Sequence, residues 1–542
     1  MKKKIKPAYA ACLFVLIACA GCQPEPVIHS IHPQIGIMGE PVVIRGAFFG
    51  KERGESYVTV AGAQPTSMAY KSWQDDEIIF ITPEFGDAGL VYVHVKGKKS
   101  NGKLFTSQVT MPKQILDSDI GLGPRIAQLT PQSGLTGSMV TITGTGFGNS
   151  RGNSGVFFSW NAESPVSAPL ESIGQEYTEV LDSEMGYELW TEREIRVRVP
   201  DGAISGNIEI RTARGNSPPM FFEVSNRQGV KTFRDKRNYT FTYSVNIKTV
   251  DANAPNTLYL WLPRPAAVAA QRNIELLSSS TDPFVENYRG TNLYKLDDLA
   301  ANSDTRINLS WKVEVYGIET SVRPQSLRLD EKSLVSGMYT QSNDLLPSDD
   351  LRIKKQAEII VAREKNPYVK AQRIYEWMLG SFLFHPELIE GDIFTALETK
   401  EIDSYTAALL YCTLLRCADV PCQPVAGVLV SRNRQTLNHY WAEFWIDGFG
   451  WIPVDPAMGA EAIPALFSSH PDRAHYYFGN IDSGRIAFSR GYSILSPMDQ
   501  RGRTLTHSRS YALQSLWEEV AGGIDSYSSL WGGITVTGMY AQ

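Results

Sequence analysis

The stretch HYWAEFWIDGFGWIPVDP (439–456) carries a histidine and an aspartate, His439 and Asp455, sixteen residues apart across a DGFG turn. Alternation on both sides of that turn predicts adjacent antiparallel strands, which would set the two side chains side by side on one face. An imidazole beside a carboxylate can move protons, and with a nucleophile in reach it can support acyl transfer. Upstream, EIDSYTAALLYCTLLR (401–416) reads as a helix opening, with Asp403 and Ser404 ahead of a long apolar run. A group at that head would feel the positive end of the helix. Cys412 lies eight residues further along the same helix, about 12 Å by helical rise, and does not replace a group at the head.

These motifs resemble transglutaminase-like proteins. NPYVKAQRIYEWMLGSFLF (366–384) is similar to the helix that precedes the family's active site. In DSYTAALLYCTLLRCADVPCQPVAG (403–427), Asp403, Leu414-Leu415-Arg416, Pro421 and Gly427 fall where the family has its Asp, Leu-Leu-Arg block, turn proline and strand glycine. His439, Trp441, Glu443, Gly448, Gly450, Trp451, Asp455 and Pro456 match the His-x-Trp-x-Glu…Gly-x-Gly-Trp-x-x-x-Asp-Pro signature without a gap, and HYYFGNIDSGRIAFSRGYS (475–493) looks like the segment that follows it. The resemblance spans about 230–500 and implies a catalytic triad. In the family a cysteine thiolate attacks a glutamine or peptide carbonyl, histidine shuttles the proton, and aspartate orients it. Two positions depart from it: the cysteine is Ser404 and the glycine two residues before it is Ile402. A thiol can rest as an ion pair with imidazole, whereas an aliphatic hydroxyl must lose its proton during attack, to a hydrogen-bonded base and beside an oxyanion hole. Three readings follow: a pseudoenzyme that keeps the cleft for binding, an acyltransferase or amide hydrolase using Ser404, His439 and Asp455, and a purely structural protein.

Trp441, Glu443 and Trp451, with Trp445, are candidates to line a groove for an extended chain or glycan; core packing is the competing use of strand-borne tryptophans. No metal or cofactor is expected, because His385, His470, His475 and His507 show no ligand spacing and the cysteines lack histidine partners. Cys417 and Cys422 flank ADVP, a helix end and turn, and are close enough in sequence to pair; with Cys412 they are otherwise small buried hydrophobes.

The elements that would carry this site follow a duplication. PVIHSIHPQIGIMGEPVVIRGAFFG (26–50) and PRIAQLTPQSGLTGSMVTITGTGFG (124–148) match at a constant offset of 98, through Pro33/Pro131, Gly36/Gly134, Gly39/Gly137, Gly46/Gly144 and Phe49/Phe147. Each copy closes on a Trp-to-Pro strand, Trp73 to Pro83 and Trp190 to Pro200, and the second holds about 19 extra residues near NAESPVSAPLESIGQEY. The pattern resembles IPT/TIG immunoglobulin-like sandwiches, whose resemblance implies spacers or recognition modules. The start, Lys2 to Lys4 and Lys6 followed by AYAACLFVLIACAGC, resembles a bacterial lipoprotein signal. Its lipidated residue is read as Cys22, before the tether-like QPEP, with Cys19 as the alternative register.

The expected fold is multidomain: two immunoglobulin-like β-sandwiches, a further sandwich-like β-domain and an α+β transglutaminase-like domain. The boundaries read as a signal over 1–22, repeats over 26–112 and 123–226, a β-rich domain over 230–345, the core over 350–500 and a C-terminal extension over 501–542. SYALQSLWEEVAGG (510–523) reads as an amphipathic helix docked on that core. A net charge of −6 with no basic block argues against nucleic acid as a partner. The expected partners are a membrane, through the N-terminal lipid, and a protein or glycan ligand in the cleft. The expected place is the outer membrane, periplasm or surface of a bacterial envelope.

Overall fold

A computed structural model describes residues 24–33, 35–36, 39–60, 62–82, 88–107, 123–162, 176–327, 334–468, 470–499 and 501–541. Cys19 and Cys22 lie outside the described residues, as does most of the extra segment in the second repeat.

Both repeats fold as two facing sheets, and the duplication extends to irregularities. Strand Val27–His32 pairs antiparallel with Pro41–Ala47 and shifts register between Ile28 and Ser30. Arg125–Thr130 pairs with Met139–Thr145 and shifts between Ile126 and Gln128, again 98 positions on. The matched glycines explain themselves there. A Cβ on Gly46 would lie 1.9 Å from the Val27 carbonyl oxygen, and one on Gly144 would lie 2.0 Å from that of Arg125. Trp73 donates to the Phe49 carbonyl at 3.0 Å, and Trp190 to the Phe147 carbonyl at 3.2 Å, so the indole anchors the same loop in each copy.

The third domain is a pair of sheets built around two long strands, Gly229–Ala252 and Asp304–Val322, which pair along most of their length. Its composition differs from the expected 230–345. Ile524–Trp531 and Thr535–Ala541 both pair with Gly229–Ala252, and Glu518–Ala521 pairs with Thr257–Pro263 in the facing sheet. The strands between 503 and 541, expected as a separate extension over 501–542, are therefore part of the β-domain, and the helical core is inserted between its strands. The helix expected over 510–523 is absent; the segment runs irregularly and then enters the sheet. The polar positions that suggested a wet helix face, Gln514, Glu518 and Glu519, are buried. Glu518 shows why a carboxylate is tolerated there. It is bonded to His507 Nε2 at 2.8 Å and accepts from Tyr527 Oη at 2.8 Å and Trp531 Nε1 at 2.7 Å.

The α+β core has a four-stranded antiparallel sheet in the order Gly450–Val454, Thr436–Ile446, Cys422–Val430, Arg485–Arg490. Helix Ser404–Cys417 packs on it. Asp403 starts that helix by accepting from the Thr406 N–H at 2.7 Å, and Asp419 in the left-handed region (φ 60°) closes it. Twelve of its fourteen residues are buried, against Ala442, Phe444 and Ile446 of the sheet. Val428, Val430, Ile486 and Phe488 reach instead into the β-domain core beside Trp311 and Trp517. That double covering makes Cys422–Val430 buried at every position, which reads in sequence as an apolar run interrupted only by Gln423.

The second immunoglobulin-like repeat is docked on this core. Lys231 Nζ, from the first strand of the β-domain, bonds Asp201 of the repeat and the Trp451 carbonyl at 2.5 and 2.7 Å. Gly450, at φ +99°, passes so close that a Cβ would lie 2.1 Å from Asp201 Oδ1. Arg490 then bridges Glu443 of the core and Glu184 of the repeat at 2.5 Å each.

Candidate functional site

His439 lies on strand Thr436–Ile446, opposite Gly427, and Asp455 directly follows strand Gly450–Val454, where it caps the short helix Pro456–Gly459. Their side chains meet, with Nε2 and Oδ2 2.8 Å apart, and both residues are wholly buried. The carboxylate has two further partners: Oδ1 accepts from the Met458 N–H at 3.0 Å, and Oδ2 accepts from Arg485 at 2.9 Å. A carboxylate only accepts, so Nε2 carries the proton, and in the neutral ring Nδ1 is left as an acceptor. Nδ1 is buried and has no hydrogen-bond partner among the described residues.

Ser404 makes no hydrogen bond to either member of this pair. Strand Leu383–Phe384 pairs with Glu401–Ile402, just before Ser404. Phe384 packs in one cluster with Leu437 and Met458, two and three residues from His439 and Asp455, and with Leu429, which pairs with Leu437. The head of the helix thus comes to the His–Asp end of the sheet. Ser404 is only 4% exposed, and its hydroxyl makes no hydrogen bond, to His439 or to anything else among the described residues. Ile402, in place of the family's glycine, is fully buried beside it.

A segment from the far end of the chain closes over this head. Arg509 donates to Asp403 Oδ2 and to the Gly391 carbonyl, both at 2.5 Å, and its guanidinium stacks 4.6 Å from the Tyr405 ring. Both chain neighbours of Ser404 are held by one side chain. Arg509 itself sits at φ +57°, a conformation that costs a non-glycine residue about 1 kcal/mol or more and that these contacts sustain. Tyr440 Oη donates to the Ser510 carbonyl, and Leu513 packs with Ala408, Ala426 and Tyr440.

Trp441 and Trp451 are each 5% exposed. Trp441 stacks near His439, with Arg485 4.9 Å from its ring centre, and Trp451 meets Tyr339 edge-on beneath Arg490. Glu443 is taken up by Gln423 and Arg490. A ligand would reach these three only by opening the contacts between the core, the β-domain and the second repeat. The cysteines are arranged differently from the expected Cys417–Cys422 neighbours. Cys417, at the helix end, is turned to the Ser348 carbonyl at 2.9 Å, while Cys412 and Cys422 face each other.

Arg485, Arg490 and Arg509 are the functional neighbours that spacing did not single out. The signal for two of them was present: an arginine in a strand buried on both sides must have a carboxylate partner. Asp455 and Asp482 share Arg485. Burial alone would raise the Asp455 carboxyl, but His439 and Arg485 outweigh it and hold it below the usual range. Asp482 behaves likewise, with burial overcome chiefly by Arg485. A carboxyl depressed in the folded state contributes stability that is full above its unfolded value, near 4. That contribution is lost as pH falls through the depressed folded value. The melting temperature should therefore hold level from about pH 6 to 5 and fall below about pH 4, and Asp482→Asn should flatten part of that fall in a pH series of thermal melts.

Residues 354–456 match the Transglutaminase-like superfamily, and residues 26–111 and 124–167 match the IPT/TIG domain. The chain thus carries immunoglobulin-like IPT/TIG domains and a transglutaminase-like domain in a mostly β-sheet, multidomain fold. An uncharacterized protein of Haemophilus influenzae is 23% identical over 303 residues, covering 47% of this chain and 79% of its own length. Among solved structures, a protein described as a candidate cysteine protease from Cytophaga hutchinsonii is 13% identical. It covers 58% of this chain and 92% of that one, with a TM-score of 0.35. The periplasmic domain of TgpA from Pseudomonas aeruginosa, also 13% identical, covers 41% and 87% with a TM-score of 0.25.

Proposed function

We propose that this is an exported, lipid-anchored protein of the bacterial envelope whose transglutaminase-like domain no longer performs acyl transfer and serves recognition of protein or cell-wall glycan material. The observation that supports loss of catalysis is the state of Ser404. A serine nucleophile needs a base hydrogen-bonded to its hydroxyl, and this hydroxyl has no such partner among the described residues, is nearly buried, and is flanked by residues that Arg509 holds down. Recognition then falls on the surface around the closed head of the helix and on the IPT/TIG domains, not in a groove along Trp441 and Trp451.

A second reading, a serine acyltransferase or amide hydrolase, has one specific observation behind it: the acceptor Nδ1 of His439 is unused while Asp455 holds the other ring nitrogen. Fluorophosphonate labelling of the purified chain, with Ser404→Ala as control and the labelled residue located by mass spectrometry, separates the two. No label on folded protein is expected. A label on Ser404 that vanishes in the alanine variant would establish an activated serine and end the non-catalytic reading. Co-sedimentation with insoluble cell wall then separates recognition from a purely structural role, which predicts no binding.

A further inference from the structure

The Sγ atoms of Cys412 and Cys422 lie 3.2 Å apart, the Cys422 thiol directed at the Cys412 sulfur, closer than the roughly 3.5–4.0 Å of ordinary carbon–carbon contacts. Both side chains are fully buried. They come from different elements, the Ser404–Cys417 helix and the Cys422–Val430 strand. A disulfide places its sulfurs about 2.05 Å apart, so closing the gap takes a movement of about 1 Å, within reach of small side-chain rotations. Cys417 does not compete, because its thiol is turned away to the Ser348 carbonyl. Arg416, between the two in sequence, fixes their spacing by donating to the Cys422 carbonyl at 2.8 Å and to that of Gln341 at 2.6 Å.

We infer that Cys412 and Cys422 are joined by a disulfide in the mature protein, an inference that rests on the exported location proposed above, since such bonds persist in oxidising compartments. The oxidant is a disulfide of the envelope's dithiol–disulfide class. The thiolate of one cysteine attacks it, forming a mixed disulfide and releasing one thiol. The second cysteine then attacks the mixed disulfide, closing the Cys412–Cys422 bond and releasing the other. Two protons and two electrons leave the pair, and the oxidant becomes a dithiol. Because both sulfurs are sealed in the folded core, the exchange belongs to folding, before the helix docks on the sheet. The bond then fastens the helix that begins at Ser404 to the strand paired with that of His439.

The test uses the full chain, secreted with its own leader by a bacterial host, denatured in iodoacetamide without reductant and mapped by mass spectrometry. The expected map has Cys417 alkylated and the peptides bearing Cys412 and Cys422 linked. Reduction should free both and lower the melting temperature by roughly 5–10 °C. The same chain refolded from denaturant with glutathione disulfide tests the geometry apart from export. Linkage on refolding but free thiols in the cell-derived protein overturns the bond in the mature protein, through the oxidising location it rests on and not through the geometry. Free thiols in both, or a bond to Cys417, overturns the pairing.

Discussion

Arg490→Ala is expected to lower the apparent stability of the chain by about 3–5 kcal/mol and to loosen the second immunoglobulin-like domain from the core. Arg490 stands between Glu443 and Glu184 and bonds both, with 12%, 12% and 15% of the three side chains exposed. The flanking carboxylates hold its charge firmly, and its guanidinium also covers the Trp451 ring. Removing it leaves two buried carboxylates facing each other with no cation between them, a costlier state than loss of the pair as a whole. Arg490→Lys should recover only part of the loss, because one ammonium lacks the fork that reaches both partners. Chemical denaturation and limited proteolysis at the junction near 226 check this. A loss below about 1 kcal/mol, with the junction still protected, would mean that the bridge behaves like a surface ion pair.

Arg485→Ala is expected to cost a similar amount, about 3–5 kcal/mol, by a different route. Arg485 is buried and joins Asp455 and Asp482 while stacking on Trp441. Without it, Asp455 keeps only His439 and the Met458 N–H, and Asp482 keeps the Tyr477 hydroxyl and the Gly484 N–H. The relief available to these carboxyls is to take up protons. The variant should therefore regain stability on mild acidification, over a range where the unmodified protein is level or losing it. Denaturant melts at about pH 5 and 7 distinguish the outcomes. A variant with unchanged stability, or one that loses it further at the lower pH, would refute the role given to Arg485.

What the sequence disclosed depended on distance along the chain. The 98-residue repeat announced both sandwiches because glycines and a tryptophan recur wherever the backbone must approach closely, at Gly46 and Gly144 above all. The His439–Asp455 meeting was legible because a short turn fixes the register of two strands. The partners of the arginines were not: a buried strand tells that Arg485 and Arg490 need carboxylates, but which ones, and the role of Arg509, are set by the packing of separate elements that no local period records. The terminal segment 510–523 was misread for a related reason. Gln514 and Glu518 look wet in a helical projection, yet each is satisfied inside, Gln514 by the Trp261 and Leu516 carbonyls at 2.8 Å. Cysteine spacing left pairing of Cys417 and Cys422 open; the helix carries Cys417 away to the Ser348 carbonyl and turns Cys412 toward Cys422.

The β-domain strand that begins at Gly229 finds its last neighbours at Ile524–Trp531 and Thr535–Ala541. A ribosome delivers those strands late, so the sheet waits, with an open edge, through the synthesis of nearly three hundred intervening residues. Pairings this remote are slow to form, and unpaired strand edges invite association with other chains. The nascent protein would therefore depend on being held extended until those two strands arrive. A stop codon ahead of Glu518 would leave the β-domain without these closing strands, and the inserted helical core without part of the surface on which one face of its sheet rests.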